Sequence, residues 1–139
     1  MPARFTDVVL DCEDPERLAA FWSAVLGYER VTGEDDWIVI GPPGRDLSPE
    51  LLRTGPQPAN IAFVVVPEDK LAKNRVHLDV TPVDVSQDDE VDRILGLGAS
   101  RVDVGQGDED WIVLADPEGN EFCVLAEAES DAGDDRDGG

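Results

Sequence analysis

The sequence predicts an α+β domain made of two β-α-β-β-β modules. Three observations carry this: an internal repeat, apolar spacings that alternate between strand and helix periods, and turn residues that separate them. Gly33-Glu-Asp-Asp-Trp37-Ile-Val-Ile40 returns as Gly107-Asp-Glu-Asp-Trp111-Ile-Val-Leu114. Leu26-Gly27-Tyr-Glu-Arg30-Val31 returns as Leu97-Gly98-Ala-Ser-Arg101-Val102, and Val8-Val-Leu10-Asp11 as Val76-His-Leu78-Asp79. Matches in the same order define modules at about residues 4–66 and 75–128 within one domain at residues 1–129. A chain of 139 residues is long enough for a single hydrophobic core.

Each element has a local reason. Residues 4–12 and 75–81 are short alternating runs rich in β-branched residues, which read as half-buried strands. Asp14-Pro15 starts a helix, with Asp as N-cap and Pro at the first helical position. Leu18, Phe21, Trp22 and Val25 follow at helical spacing as core residues, and Gly27 ends the helix. In the second module the helix starts at Ser86, buries Val91, Ile94 and Leu95, and stops near Gly96 or Gly98. Hairpins follow each helix, at 28–32 with 37–41 and at 100–104 with 111–115, turning at the acidic tips 34–36 and 108–110. Closing strands are expected at 61–66 and 122–126, the latter after the turn Asp116-Pro-Glu-Gly-Asn120. Residues 41–60, rich in Pro and Gly, read as a long loop, and residues 130–139 as a disordered acidic tail.

Thirty-two acids against eleven bases give a net charge of −21. A field of that sign repels phosphate backbones and anionic bilayers, so neither nucleic acid nor membrane is expected as a partner. Solubility explains the acidity more simply than attraction of a cationic ligand does. The amino terminus lacks the apolar core of a signal peptide, which leads to the expectation of a cytoplasmic protein. Cys12 and Cys123, the two cysteines, suggest neither a disulfide framework nor a zinc finger.

The two modules, the helix opening Asp14-Pro-Glu-Arg-Leu-Ala-Ala-Phe21-Trp22, its end at Leu26-Gly27 and the Asp116-Pro-Glu-Gly-Asn120 turn resemble the vicinal oxygen chelate superfamily. This group includes glyoxalase I, extradiol dioxygenases, fosfomycin-resistance enzymes and bleomycin-binding proteins. Lys73-Asn-Arg-Val-His77-Leu-Asp79-Val80 with Asn120-Glu-Phe-Cys-Val124 resembles its glyoxalase-like subgroup. The resemblance implies a curved mixed sheet around a cup, a small-molecule ligand and a homodimer. It also implies a divalent metal (Zn, Fe, Mn or Ni) at positions that correspond here to Asp7, His77 and Cys123. Of these three, only His77 is of the family's usual ligand type, so the triad reads as degenerate and the chain as a small-molecule-binding domain that takes either no cofactor or a weakly held metal. The alternatives are a metal-dependent lyase, isomerase or dioxygenase, and a bleomycin-type sequestering protein.

Strand alternation places Arg75, His77 and Asp79 on one face, Glu121, Cys123 and Leu125 on one face, and Asp7, Val9 and Asp11 on one face. Arg75, His77, Asp79, Glu121 and Cys123 are therefore candidate ligand-binding residues, with Glu121 the candidate general base. An Asp, His and Cys donor set favours zinc or iron over calcium or magnesium. Cys123 reads more simply as a small buried hydrophobe, and Arg75 as a partner for an acid inside the protein or on a ligand. Trp37 and Trp111 hold equivalent repeat positions, where symmetric core packing is the simpler expectation and ligand stacking the alternative.

Overall fold

A computed structural model describes residues 3–45, 48–67, 74, 76–102 and 110–126. The chain divides into two compact units, Met1–Leu71 and Ala72–Gly139.

The first unit contains β1 (Asp7–Cys12), α1 (Pro15–Leu26), β2 (Glu29–Glu34), β3 (Trp37–Gly41), α2 (Pro49–Arg53) and β4 (Asn60–Val65). Its sheet runs β1-β4-β3-β2, with β1 parallel to β4 and the other pairs antiparallel. Asp14 caps α1 by accepting the Arg17 N–H at 3.2 Å, and Pro15 takes the first turn. Gly27 ends the helix at φ 71°, where a side chain would add steric cost, and donates its N–H to the Ser23 carbonyl at 2.8 Å.

Alternation gives the sheet two different faces. Ile38, Ile40, Ile61 and Phe63 are buried together with Leu18, Phe21, Trp22 and Val25 of α1, which packs on β3 and β4. Phe21 and Trp22 meet edge to face at 5.2 Å. Asp7, Val9 and Asp11 point the other way and are exposed.

The second unit repeats this plan with β5 (Asp79–Val80), α3 (Gln87–Gly96), β6 (Ser100–Arg101), β7 (Ile112–Ala115) and β8 (Glu121–Val124), ordered β5-β8-β7-β6. Again the first strand is parallel to the last. Ser86 caps α3 by accepting the Asp89 N–H at 3.0 Å. Val91 and Ile94 are buried, as are Leu114, Phe122 and Val124 of the strands. On α3, Arg93 donates to Glu90 at 2.7 Å, and that hydrogen bond holds the Glu90 carboxyl below its ordinary value.

Three expectations are corrected. The loop at 41–60 contains α2, because Ser48-Pro49-Glu50 supplies a cap position, a first-turn Pro and a first-turn acid, while Arg53 stands in the last turn. The strand at 75–81 shortens to Asp79–Val80. Before it the Asn74 N–H is donated to the Glu121 side chain at 3.0 Å, and beyond its upper end Pro82 has no N–H to give to the ladder. Neither Trp37, at the head of β3, nor Trp111, just before β7, is buried; Trp111 is 39% exposed. Arg75, residues 103–109 with most of the second acidic tip, and the tail at 130–139 lie outside the described residues. Among those described, no helix is long and apolar enough to cross a membrane.

The turn before β8 sets where that strand begins. Asp116, only 3% exposed, accepts the N–H groups of Glu118 at 2.9 Å and Asn120 at 3.0 Å, and the Asn120 amide reaches both of its carboxylate oxygens. Gly119 takes φ 90° to close the turn. Removing a buried acceptor leaves these donors unpaired. Asp116→Ala is expected to cost about 2–4 kcal/mol in urea unfolding, with Asp116→Asn recovering part of it.

Candidate functional site

In the second unit, three donors of different chemistry converge. The β5–β8 register sets Asp79 opposite Cys123, so both side chains leave the same face of the sheet. The ladder is continued by the Cys123 N–H, which donates to the Leu78 carbonyl at 3.0 Å. That bond holds the residue between His77 and Asp79 against β8. His77 Nε2 stands 3.2 Å from Asp79 Oδ1, and the donor atoms of His77, Asp79 and Cys123 all lie within 4.8 Å of one another. His77 and Asp79 are exposed while Cys123 is buried, so the group is open on one side and backed by the sheet on the other.

Metal bonds of ~2.0 Å at a tetrahedral angle separate N and O ligand atoms by roughly 3.3 Å. The observed His77–Asp79 separation of 3.2 Å matches this, and the Cys123 sulfur lies within 4.8 Å of both donors. One imidazole, one carboxylate and one thiol make a borderline-soft set that fits zinc or iron better than magnesium. Three protein ligands also leave an open position for a ligand.

The remaining sequence candidates divide between the units. Glu121 begins β8 on the same face as Cys123, and its Oε1 accepts the Asn74 N–H at 3.0 Å. Asp7 lies in the first unit, where Thr6 donates its hydroxyl to Asp7 Oδ2 at 2.8 Å. There Asp7 lines a cavity of about 290 Å³, together with Val39, Arg45, Asn60 and the α2 residues Leu51 and Leu52. Reading the sequence missed this cavity because it missed α2; the Ser48-Pro49-Glu50 helix start ahead of Leu51-Leu52 was the available signal. It also set Asp79 beside His77 without grouping it among the metal donors.

A family model described as a glyoxalase-like domain matches residues 7–125. No curated protein matches the chain. Among solved structures, a glyoxalase/bleomycin resistance protein/dioxygenase family enzyme from Burkholderia phytofirmans PsJN is 17% identical, with TM-score 0.61 over 88% of this chain and 97% of that one. The fosfomycin resistance protein FosX from Mesorhizobium loti is 14% identical, with TM-score 0.61 over 95% and 98%. A mutant FosX from Listeria monocytogenes, complexed with Mn(II) and 1S,2S-dihydroxypropylphosphonic acid, is 16% identical, with TM-score 0.59 over 92% and 93%. Similarity at these identities establishes the shared fold.

The His77–Asp79 pair is 49% and 48% exposed, a setting in which an ion pair contributes about 0–1 kcal/mol. Asp79→Asn is therefore expected to change the free energy of urea unfolding by less than about 1 kcal/mol. A loss of several kcal/mol would mean that the pair serves the fold.

Proposed function

The chain belongs to the glyoxalase-like domain family, and on that footing we propose that it binds a small molecule at a divalent-metal site held by His77, Asp79 and Cys123. The observation that carries the reading is the convergence of an imidazole, a carboxylate and a thiol within 4.8 Å on one face of the second unit. Binding of Mn(II) by the Listeria FosX mutant, which shares the fold, supports it. Asp79 supplies the carboxylate that the sequence pattern leaves wanting at the Cys123 position.

A divalent ion held by His77, Asp79 and Cys123 would supply Lewis-acid polarisation of an oxygen of the small molecule. The chain's own groups do the rest. The strand ladder on either side of Cys123 fixes the thiol, so the two exposed donors adjust to it. The backbone N–H of Asn74 orients the Glu121 carboxylate, which is proposed as the proton acceptor on that face. A homodimer is part of the proposal, on the family resemblance.

Cobalt(II) titration of chelator-treated protein tests the site. One Co(II) per chain is expected, with a thiolate-to-cobalt absorption band, proton release on binding, and displacement by Zn(II). Cys123→Ser is expected to abolish the band and His77→Gln to weaken binding at least tenfold. Absence of both the band and any stoichiometric uptake would leave a metal-free binder of organic ligands, the reading that a degenerate triad suggests.

A further inference from the structure

The cavity of the first unit holds two opposite charges that do not pair with each other. It is bounded by the face of the β1-β4-β3-β2 sheet opposite α1 and by α2, with Phe5, Val39, Leu51 and Leu52 as apolar walls. Arg45 and Asp7 both line it, and among the described residues neither has an ion-pair partner.

The guanidinium is oriented without being neutralised. Arg45 donates from Nη1 to Asn60 Oδ1 at 3.1 Å and from Nη2 to the Pro58 carbonyl at 2.8 Å. Both acceptors are uncharged, and three of its five N–H donors remain for a ligand. Asn60 is itself fixed: it is 5% exposed, and its N–H donates to the Thr6 carbonyl at 2.8 Å. Its side chain lies against the backbone of Gly41, where a Cβ would collide with the amide oxygen. Asp7 is the register partner of Asn60 across the parallel β1–β4 pair. Arg45 and Asp7 thus flank one buried amide, within reach of a single small molecule.

We propose that this cavity binds a free amino acid with an apolar side chain, its carboxylate on Arg45, its ammonium on Asp7 and its side chain along Leu51, Leu52 and Val39. A net-neutral zwitterion is not repelled by the acidic surface, as a simple organic anion is. At about 290 Å³ the cavity lies just below the usual ~300–1,000 Å³ of ligand pockets, which suits a molecule as small as an amino acid. The site uses first-unit residues alone and does not depend on the metal-site reading.

Calorimetric titration of the chelator-treated full chain with L-leucine, 4-methylpentanoate and 3-methylbutylamine tests it, since the last two each lack one charge of the first. Leucine is expected to bind at least tenfold more tightly than either analogue. Arg45→Gln and Asp7→Asn are each expected to weaken leucine binding at least tenfold, and Arg101→Gln, which removes an exposed cation of the second unit, to leave it unchanged. No leucine binding, or a single-charge analogue binding as tightly as leucine, overturns the proposal. The comparison among ligands uses the unaltered protein, so a folding defect in a variant does not affect it.

Discussion

In each unit the first strand is hydrogen-bonded in parallel to the last, β1 to β4 and β5 to β8. A parallel pair cannot be closed by a hairpin; the chain must cross over, and here it does so through a helix and an antiparallel hairpin. In the first unit that crossover lays α1 on one face of the sheet, and the α2 residues Leu51 and Leu52 line a cavity with residues of the other. Side-chain alternation then assigns every strand residue either to the core or to the opposite face. The candidate chemistry of both units lies on strand residues of one sheet face, exposed at Asp7 and Asp79 and buried at Asn60 and Cys123, or on segments adjoining them.

The two units use this plan differently. In the second, the parallel pair itself assembles the donors: Asp79 faces Cys123 by register, and His77 lies two residues upstream of Asp79. In the first, the same pair sets Asp7 beside Asn60, and the chain between β3 and β4 adds Arg45 and the apolar wall of α2. One buried carboxylate, Asp116, keeps β8 in place by saturating itself with turn N–H groups. Polar groups without local roles of this kind sit outside, which is how a chain of net charge −21 keeps an apolar core.

Much of the fold was legible because its signals are local. The Asp14 and Ser86 caps, the Gly27 stop, the helix faces and the hairpins all depend on residues within a few positions of one another. The repeat extended that reading to the module order, which the matching strand orders bear out. The α2 turn was overlooked where a Pro-rich composition outweighed a short capped start. Core packing fails for both tryptophans because a shared repeat position does not ensure burial: Trp111 precedes its strand, and Trp37 is the first residue of one.

The sequence by itself determined the two modules, their elements and the shared faces of His77 with Asp79 and of Glu121 with Cys123, because alternation and capping are properties of neighbouring residues. Membership of the glyoxalase-like family was legible in the same motifs. Only the tertiary structure decided which donors meet. The grouping of His77 and Asp79 with Cys123 depends on the β5–β8 register, and the opposed charges of Arg45 and Asp7 depend on where the chain after β3 returns to its sheet. Such contacts join residues far apart in the chain, and no local periodicity specifies the distance between them.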